Sequence, residues 1–217
     1  MPRPCLYFWV LIVAVGAPAY GYNAQNRISF QQAPSQKIAR MADLIQKVGL
    51  PRLPTLIRAK EWRFVSELQK GKPFFEILGY EALMASPKEA FVLEKKSDYL
   101  YVLLEDGRFA YTVNRLDPRD KSEIVKHPYL ARGGKARMAG EIRWVKSHWI
   151  FDDDSGRYCC DWEASGKLIR KHHGPQEVES LGRLALLYGG LGNEVEVQNK
   201  IPSSEGGKVL FSKSVKN

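Results

Sequence analysis

The chain has 217 residues, of which 44% are hydrophobic and 26% are charged, a composition typical of globular proteins. A chain of this length buries enough surface to fold without a disulfide framework or a structural metal, as one sizeable domain or two small ones. The net charge of +9 favours anionic partners such as nucleic acid, acidic lipid or an anionic polymer, but it excludes no class of enzyme.

Residues 1–21 have the composition of a secretory signal peptide. A basic start precedes an uncharged apolar run at residues 5–15, and residues 17–19 supply the small side chains that a signal peptidase requires. The run is too short for a comfortable membrane span, and an uncleaved anchor is the alternative. We therefore expect a bacterial protein that is secreted or periplasmic, begins at Tyr20 or Tyr22 and has no transmembrane span in its mature chain.

The next part of the chain has the apolar periodicity of helices. Residues 22–34 are polar, and we interpret them as an extended lead-in to a helical part that covers residues 35–95. Apolar side chains recur on one face of each predicted helix, and glycine or proline residues end the first two. The predicted helices cover residues 35–48, 55–70 and 74–84, and the capping pattern Ser86-Pro87-Lys88-Glu89 predicts the start of a further short helix.

The pattern changes in the β-rich part, which covers residues 96–217. Turns at Asp106-Gly107 and Lys146-Ser147 predict two hairpins. The predicted strands cover residues 99–104, 108–113, 141–145, 148–151, 157–162 and 167–171, followed by a helix over residues 175–188 and an edge strand at 194–197 or 209–211. Helices followed by strands predict an α+β fold, in which a helical N-terminal part packs on a mainly antiparallel β-sheet with a late amphipathic helix.

Residues 127–158 carry histidine, glycine and acidic positions that a hydrophobic core alone does not require. His127 opens this segment, and Glu141 follows Gly140 directly at the start of a predicted strand. After the second hairpin the chain reads Asp-Ser-Gly-Arg-Tyr over residues 154–158.

This segment resembles a motif of plant calmodulin-binding proteins with an IQ motif, and of secreted or modular bacterial proteins, some of them toxin-like. The motif is approximately His-Ser-Ser-Phe-x-x-Gly-x-x-Val-x-x-Ala-Gly-Glu-Ile, then a hairpin, then Asp-Ser-Gly-His-Tyr. The corresponding residues here are His127, Leu130, Gly133, Ala136, Ala139, Gly140, Glu141, Ile142, Asp154, Ser155, Gly156 and Tyr158. The resemblance extends approximately over residues 99–175.

The resemblance implies a site with four candidate catalytic residues and five candidate ligand-binding residues. The candidate catalytic residues are His127, Glu141, Ser155 and Arg157. The candidate ligand-binding residues are Arg132, Gly133, Gly140, Gly156 and Tyr158.

This chain departs from the motif at three places. Pro128 and Tyr129 replace two serines, Arg157 replaces the second histidine, and the hairpin is shorter by about one residue. If the site of those proteins needs two imidazoles, this chain is a non-catalytic relative. No IQ calmodulin-binding motif is present in the sequence.

His127 and Glu141 each allow a functional and a structural interpretation. His127 is either a general base, proton shuttle or ligand, or a histidine that locks its loop by bonding the backbone. Glu141 is an acid or base if it points inward, paired with Arg157 or Arg132. If it points outward, Glu141 is an exposed strand residue in a surface ion pair of little energetic weight.

We expect no metal site and no cofactor. The run Asp152-Asp153-Asp154 does not fit a calcium loop and is better explained as a turn, and the adjacent His172-His173 would point to opposite faces of a strand. The vicinal Cys159-Cys160 is expected to be two small residues on a strand. No hydrolase, zinc-protease or dinucleotide fingerprint occurs, so the residues leave open whether the protein is an enzyme.

Two hypotheses follow. In the first, an exported toxin- or effector-like module has a ligand or catalytic pocket around His127, Glu141 and Ser155, and acts on a host or competitor macromolecule. In the second, a non-enzymatic exported binding protein uses a basic, tryptophan-bearing sheet, with Trp144 or Trp162 exposed, to bind an anionic polymer or a partner protein.

Overall fold

The computed structural model describes residues 34–55, 57–115, 125–165 and 167–217. The expected signal peptide and all but the last residue of the lead-in lie outside the described residues. Among the helices within these ranges, none is both long and apolar enough to cross a lipid bilayer.

The described ranges contain five α-helices and nine strands. The helices are α1 (Pro34–Lys47), α2 (Ala59–Gln69), α3 (Phe74–Leu78), α4 (His127–Leu130) and α5 (Pro175–Tyr188). The strands are β1 (Leu83–Ala85), β2 (Tyr99–Leu104), β3 (Phe109–Val113), β4 (Ala136–Val145), β5 (His148–Asp152), β6 (Cys160–Trp162), β7 (Leu168–Lys171), β8 (Glu194–Lys200) and β9 (Val209–Lys216).

Seven of the strands form one sheet in the order β1-β3-β2-β4-β5-β8-β9, and β6 pairs with β7 separately. Every neighbouring pair in the large sheet is antiparallel except β5 and β8. A parallel pair needs a crossover connection, and here α5 lies in the segment that joins β5 to β8. The predicted α+β class, with a mainly antiparallel sheet and a late helix, is confirmed.

The sheet buries side chains on both faces. Alternation along β2 sends Tyr99, Tyr101 and Leu103 to the face covered by α1 and α5, and Leu100 and Val102 to the face covered by α2 and α4. A strand buried on both faces reads as a continuous apolar run, as β2 does. The cleft described below opens at the end of the α2 and α4 face.

One predicted helix is too long, and another is wrong. The helix predicted over residues 74–84 ends at Leu78, because Gly79 adopts a left-handed conformation with φ of 72° and residues 83–85 pair with β3 instead. The short helix expected from Ser86 is a tight turn in which Ser86 and Glu89 exchange backbone hydrogen bonds.

Two strand predictions also need correction. The strand predicted over residues 157–162 begins only at Cys160, because the Cys159 N–H donates to the Ser155 carbonyl and keeps the chain in a turn. Of the two alternatives for an edge strand, residues 194–197 belong to β8, which lies inside the sheet between β5 and β9, and residues 209–211 belong to β9, which forms one edge.

Candidate functional site

A cleft of 570 Å³ opens where α4, β4, the loop after β5 and the turn between β6 and β7 meet. This volume falls within the range of about 300–1,000 Å³ that is typical of small-molecule sites. The lining residues are Thr55, Arg58, Lys126, His127, Glu141, Asp154, Ser155, Gly156, Arg157, Trp162, Glu163, Ala164, Pro202 and Ser203. His127, Glu141, Ser155 and Arg157 thus lie together in one lining, and their chemical roles are a separate proposal.

His127 is the first residue of α4, and its imidazole is held by the neighbouring strand. Its Nε2 lies 3.0 Å from the carbonyl oxygen of Gly140 in β4. A carbonyl only accepts, so Nε2 carries the proton and Nδ1 is the ring atom that accepts in the neutral form. Gly140 must be glycine here, because a Cβ would collide with the backbone carbonyl of Asp152.

Glu141 is one of three acidic residues in the lining, and 21% of its side chain is exposed. Burial raises the pKa of Glu141 to about 7, and the nearby negative charge of Asp152 adds to this effect. The closest basic group among the described residues is the Arg143 Nε, 3.8 Å from the Glu141 Oε2, which is too far for a hydrogen bond. Glu141 therefore changes protonation state near neutral pH.

The expected pairing of Glu141 with Arg157 or Arg132 is wrong, because both arginines have other partners. Arg157 forms a two-point ion pair with Glu61 of α2, in which Nη2 lies 2.7 Å from Oε1 and Nη1 contacts Oε2. Arg132 donates to the carbonyl oxygen of Leu68 at the end of α2. Glu61 thus compensates the positive charge of the Arg157 guanidinium, which lines the cleft.

Glu61 was not identified from the sequence, although it has a local role as well. Its Oε2 accepts the Arg58 backbone N–H at 3.0 Å and caps the start of α2. Burial alone would raise the pKa of Glu61, but the hydrogen bonds from Arg157 and Arg58 outweigh it and lower the pKa. Glu61 is the third residue of α2 but the seventh of the helix predicted over residues 55–70, so the predicted boundary gives no signal of its capping role.

Ser155 is buried and lines the cleft, with 2% of its surface exposed. Its backbone is fully used, since the N–H donates to the Asp153 carbonyl and the carbonyl accepts from Cys159. The hydroxyl has no hydrogen-bond partner among the described residues. A buried polar atom without a partner costs free energy, and either an ordered water or a ligand in the cleft could supply the partner of the Ser155 hydroxyl.

A layer of buried ion pairs lies beneath the cleft. The Oδ1 of Asp152 accepts the backbone N–H groups of Glu141 (2.9 Å) and Asp154 (3.1 Å). Its Oδ2 accepts from the Arg143 Nη2 (2.8 Å) and the Lys200 Nζ (2.9 Å). A single carboxylate from β5 therefore fixes the backbone of two residues that line the cleft.

Asp153 continues this layer on the other side of the strand end. Its Oδ2 lies 2.8 Å from the Lys171 Nζ, and its Oδ1 accepts the Lys200 backbone N–H at 2.8 Å. Burial raises the pKa of Asp153 to about 6, although Lys171 lowers it. Asp152 is the last residue of β5, and Asp153 and Asp154 begin the loop after it, so the acidic run lies at a strand end and is held there by basic side chains. Within the described ranges, no group of three or more His, Cys, Asp or Glu side chains is arranged to hold a metal ion.

The candidate ligand-binding residues divide into two groups. Gly156 lines the cleft, whereas Gly133, Gly140, Tyr158 and Arg132 lie outside its lining. A Cβ on Gly133 would meet Val65 of α2, and the Tyr158 hydroxyl donates to the Gly134 carbonyl at 3.0 Å. The described contacts of these residues hold the loop after α4 against α2 and the sheet.

The histidine and cysteine pairs do not join the cleft lining. His172 lies 3.0 Å from Asp161, and His173 lies 2.8 Å from the carbonyl of Arg137, so their rings have separate partners. Cys159 and Cys160 are free thiols that are fully buried. Burial raises the pKa of Cys160 to about 12, which keeps that thiol protonated at neutral pH.

The tryptophans expected on a sheet surface have three different environments. Trp149 is buried, and Trp144 packs edge-on against it at 5.1 Å between ring centroids. The Lys95 Nζ lies 4.1 Å from the Trp144 ring centroid. Trp162 is half-buried and lines the cleft, so the three rings do not form one flat exposed strip.

Comparisons with known proteins give no relative: no family model matches the chain, and no curated protein or solved structure is significantly similar to it. The resemblance of residues 127–158 to the IQ-motif and toxin-like proteins therefore stays a prediction. The geometry of the cleft is the basis for any functional proposal.

Proposed function

We propose that the cleft binds a polar substrate and that Glu141 exchanges a proton with it, in an exported toxin- or effector-like enzyme. The observation that carries the proposal is the meeting of His127, Glu141 and Ser155 in one cleft, together with a pKa of about 7 for Glu141. A group whose pKa lies near the working pH is the most efficient proton donor and acceptor, because both of its forms are populated.

The other two side chains supply complementary functions. His127 is a second group that can carry a proton, and the carbonyl of Gly140 fixes its orientation. The Ser155 hydroxyl, without a protein partner in the described residues, can donate to or accept from a bound molecule. We assign no nucleophile, and the proposal covers proton transfer to or from the substrate.

The proposal that the protein is exported rests on its amino-terminal sequence and on the resemblance to toxin-like proteins. A secreted or periplasmic location would place the cleft in contact with a host or competitor macromolecule. The alternative is a non-enzymatic binding protein that takes up an anionic polymer through basic residues such as Lys95 beside Trp144. Affinity that falls steeply with salt would favour this alternative.

The first test uses ligand-detected NMR on the purified protein with sugars, nucleotides, amino acids and small carboxylic acids. We expect a compound that binds at pH 7 and whose affinity falls at least about tenfold in Glu141→Gln, equivalent to about 1.4 kcal/mol. Glu76→Gln, an exposed position on α3 outside the cleft lining, is the matched control. If no compound in the set depends on Glu141, Ser155 or His127, the cleft is not a substrate site.

The proposal that the protein is toxin-like is tested by producing it in bacteria, directed either to the cytoplasm or to the periplasm. We expect growth inhibition in one compartment, relieved by Glu141→Gln and retained by Glu76→Gln. Equal growth with the wild type and Glu141→Gln in both compartments would remove the toxin-like part while leaving the binding result unaffected.

A further inference from the structure

We infer that the ligand of this cleft is a neutral glycan, bound with one sugar ring against the indole of Trp162. The inference rests on the proposed function, because it names the substrate class of the same site. Three observations carry it: a fixed aromatic wall, a lining rich in acceptors with balanced charge, and the buried hydroxyl of Ser155.

Trp162 forms a fixed wall of the cleft. Its Nε1 donates to the carbonyl oxygen of Gly156, which anchors the polar edge of the indole. A Cβ on Gly156 would lie 3.1 Å from the Trp162 Cζ2, so the glycine allows the ring to approach the backbone of its own turn. A half-buried indole held in this way offers an apolar surface for the C–H face of a sugar ring.

The charges of the lining argue against a polyanion. Three acidic side chains line the cleft, on Glu141, Asp154 and Glu163, and the Lys200 Nζ lies 3.5 Å from Asp154 Oδ2. A phosphate or a uronic acid would meet Glu141 and Glu163 unfavourably. The basic lining residues are Arg58, Lys126 and Arg157, besides His127, and Glu61 already compensates Arg157. Because the acidic and basic side chains of the lining are nearly equal in number, the cleft favours an uncharged ligand.

The types of polar group favour a polyhydroxylated ligand. Ionised carboxylates only accept hydrogen bonds, so the ligand must donate several O–H or N–H groups. Asp154 is held in place at the wall of the cleft, since Oδ1 accepts the Ser203 N–H at 3.0 Å and Oδ2 contacts the Ser203 hydroxyl, and Glu141 and Glu163 are the more available acceptors. The buried Ser155 hydroxyl both donates and accepts, as sugar hydroxyls do.

The test measures binding of uncharged tetrasaccharides of glucose, mannose, galactose and N-acetylglucosamine, with tetragalacturonate and an eight-residue thymidine oligonucleotide as anionic probes. The readouts are calorimetry and the fluorine NMR signal of 5-fluorotryptophan at Trp162. We expect one or more neutral oligosaccharides to bind and to shift that signal, and saturation transfer to be strongest at the C–H protons of one ring face.

Two tryptophan variants form a matched pair. Trp162→Leu should weaken oligosaccharide binding by about tenfold or more, the loss expected for one aromatic stacking contact. Trp62→Leu removes an indole that is 48% exposed on α2 and outside the cleft lining, and it should leave the affinity unchanged. If Trp162→Leu does not fold, Glu163→Gln at the exposed rim should also weaken binding, and the fluorine signal of the wild type gives an independent answer.

The outcomes separate this inference from the proposed function. If no neutral oligosaccharide binds, or if binding leaves the Trp162 signal unchanged, the glycan assignment is overturned, and a different ligand that depends on Glu141 would still support the proposed function. Salt-sensitive binding of the oligonucleotide alone would also overturn it. Oligosaccharide binding that depends on Trp162 but not on Glu141 would support the glycan and remove the proton-transfer role.

Discussion

The floor of the cleft, formed by Glu141 and Ser155, differs from the ionic layer beneath it, formed by Asp152, Asp153 and their basic partners. Among the described residues, the polar groups of the layer are paired with each other, whereas those of the floor are not. In the ionic layer, the carboxylate of Asp152 accepts hydrogen bonds from two backbone N–H groups and from two basic side chains, and Asp153 is paired with Lys171. On the floor, Glu141 has no basic group within hydrogen-bond distance and Ser155 has a hydroxyl without a partner, both among the described residues.

The difference separates groups that hold the fold from groups available for chemistry. A buried carboxylate whose oxygens accept several hydrogen bonds is held rigidly in one position, whereas the half-buried carboxyl of Glu141, with little compensation, titrates near neutral pH. The two regions are joined, because Asp152 bonds the Glu141 backbone N–H and also repels its carboxylate. The ionic layer therefore positions the cleft and raises the pKa of its acid.

The largest expected effect comes from breaking the ionic layer. Asp152→Ala leaves Arg143, Lys200 and two backbone N–H groups without their acceptor, and it should lower the free energy of unfolding by about 3–5 kcal/mol. Urea unfolding at pH 7 measures this.

The matched control for Asp152→Ala is Asp106→Ala. Asp106 pairs with Arg108 at 2.7 Å with about half of each side chain exposed, so its loss should cost less than about 1 kcal/mol. Equal costs for the two variants would show that the layer is no more stabilising than a surface ion pair, and the comparison between floor and layer would fail.

The residues on the floor of the cleft can be predicted from the sequence, whereas the ion pairs of the layer cannot. His127, Glu141 and Ser155 were selected because they occupy positions in a short motif whose two halves flank a hairpin. Lys200 and Lys171 carry no such mark, since Lys200 lies 48 residues from Asp152 along the chain and joins it only through the parallel pairing of β5 with β8.

The same distinction explains which elements were predicted. The helix over residues 175–188 was predicted at both ends, because Gly174, Pro175 and Gly189 are local signals. Strand β1 was mistaken for helix, because three apolar residues become a strand only by pairing with β3. The Glu61–Arg157 pair spans 96 residues, so no local pattern predicts it.

The next largest effect is the pH dependence of stability that Glu141 causes. The folded-state pKa of Glu141 is about 7, above the unfolded value of 4.5, so the folded protein binds more protons between these pH values and the stability of the wild type falls as pH rises through them. Glu141→Gln does not titrate and should be more stable than the wild type at pH 8 by up to about 3 kcal/mol, with little difference at pH 4.

The comparison residue for Glu141→Gln is Glu61, whose pKa is shifted the other way. Because the folded-state pKa of Glu61 is lowered, its contribution to stability is present above the unfolded value of 4.5 and is lost as pH falls through the folded-state pKa. Glu61→Gln should therefore destabilise the protein more at pH 7 than at low pH. Thermal unfolding of both variants between pH 2 and 8 measures this, and parallel pH profiles would contradict the assignment of opposite roles.

The smallest expected effect on stability belongs to Ser155, and it decides whether the floor is arranged for a ligand. Ser155→Ala removes a hydroxyl that has no partner in the described structure, so the free energy of unfolding should change by less than about 0.5 kcal/mol or increase slightly. Tyr101→Phe removes a buried hydroxyl that donates to the Asp152 carbonyl at 2.7 Å, and it should cost about 1 kcal/mol. A cost for Ser155→Ala as large as that for Tyr101→Phe would mean that the protein itself satisfies the hydroxyl. The floor of the cleft would then be part of the same structural network as the layer beneath it, and Ser155 would have no spare hydrogen bond to offer a ligand.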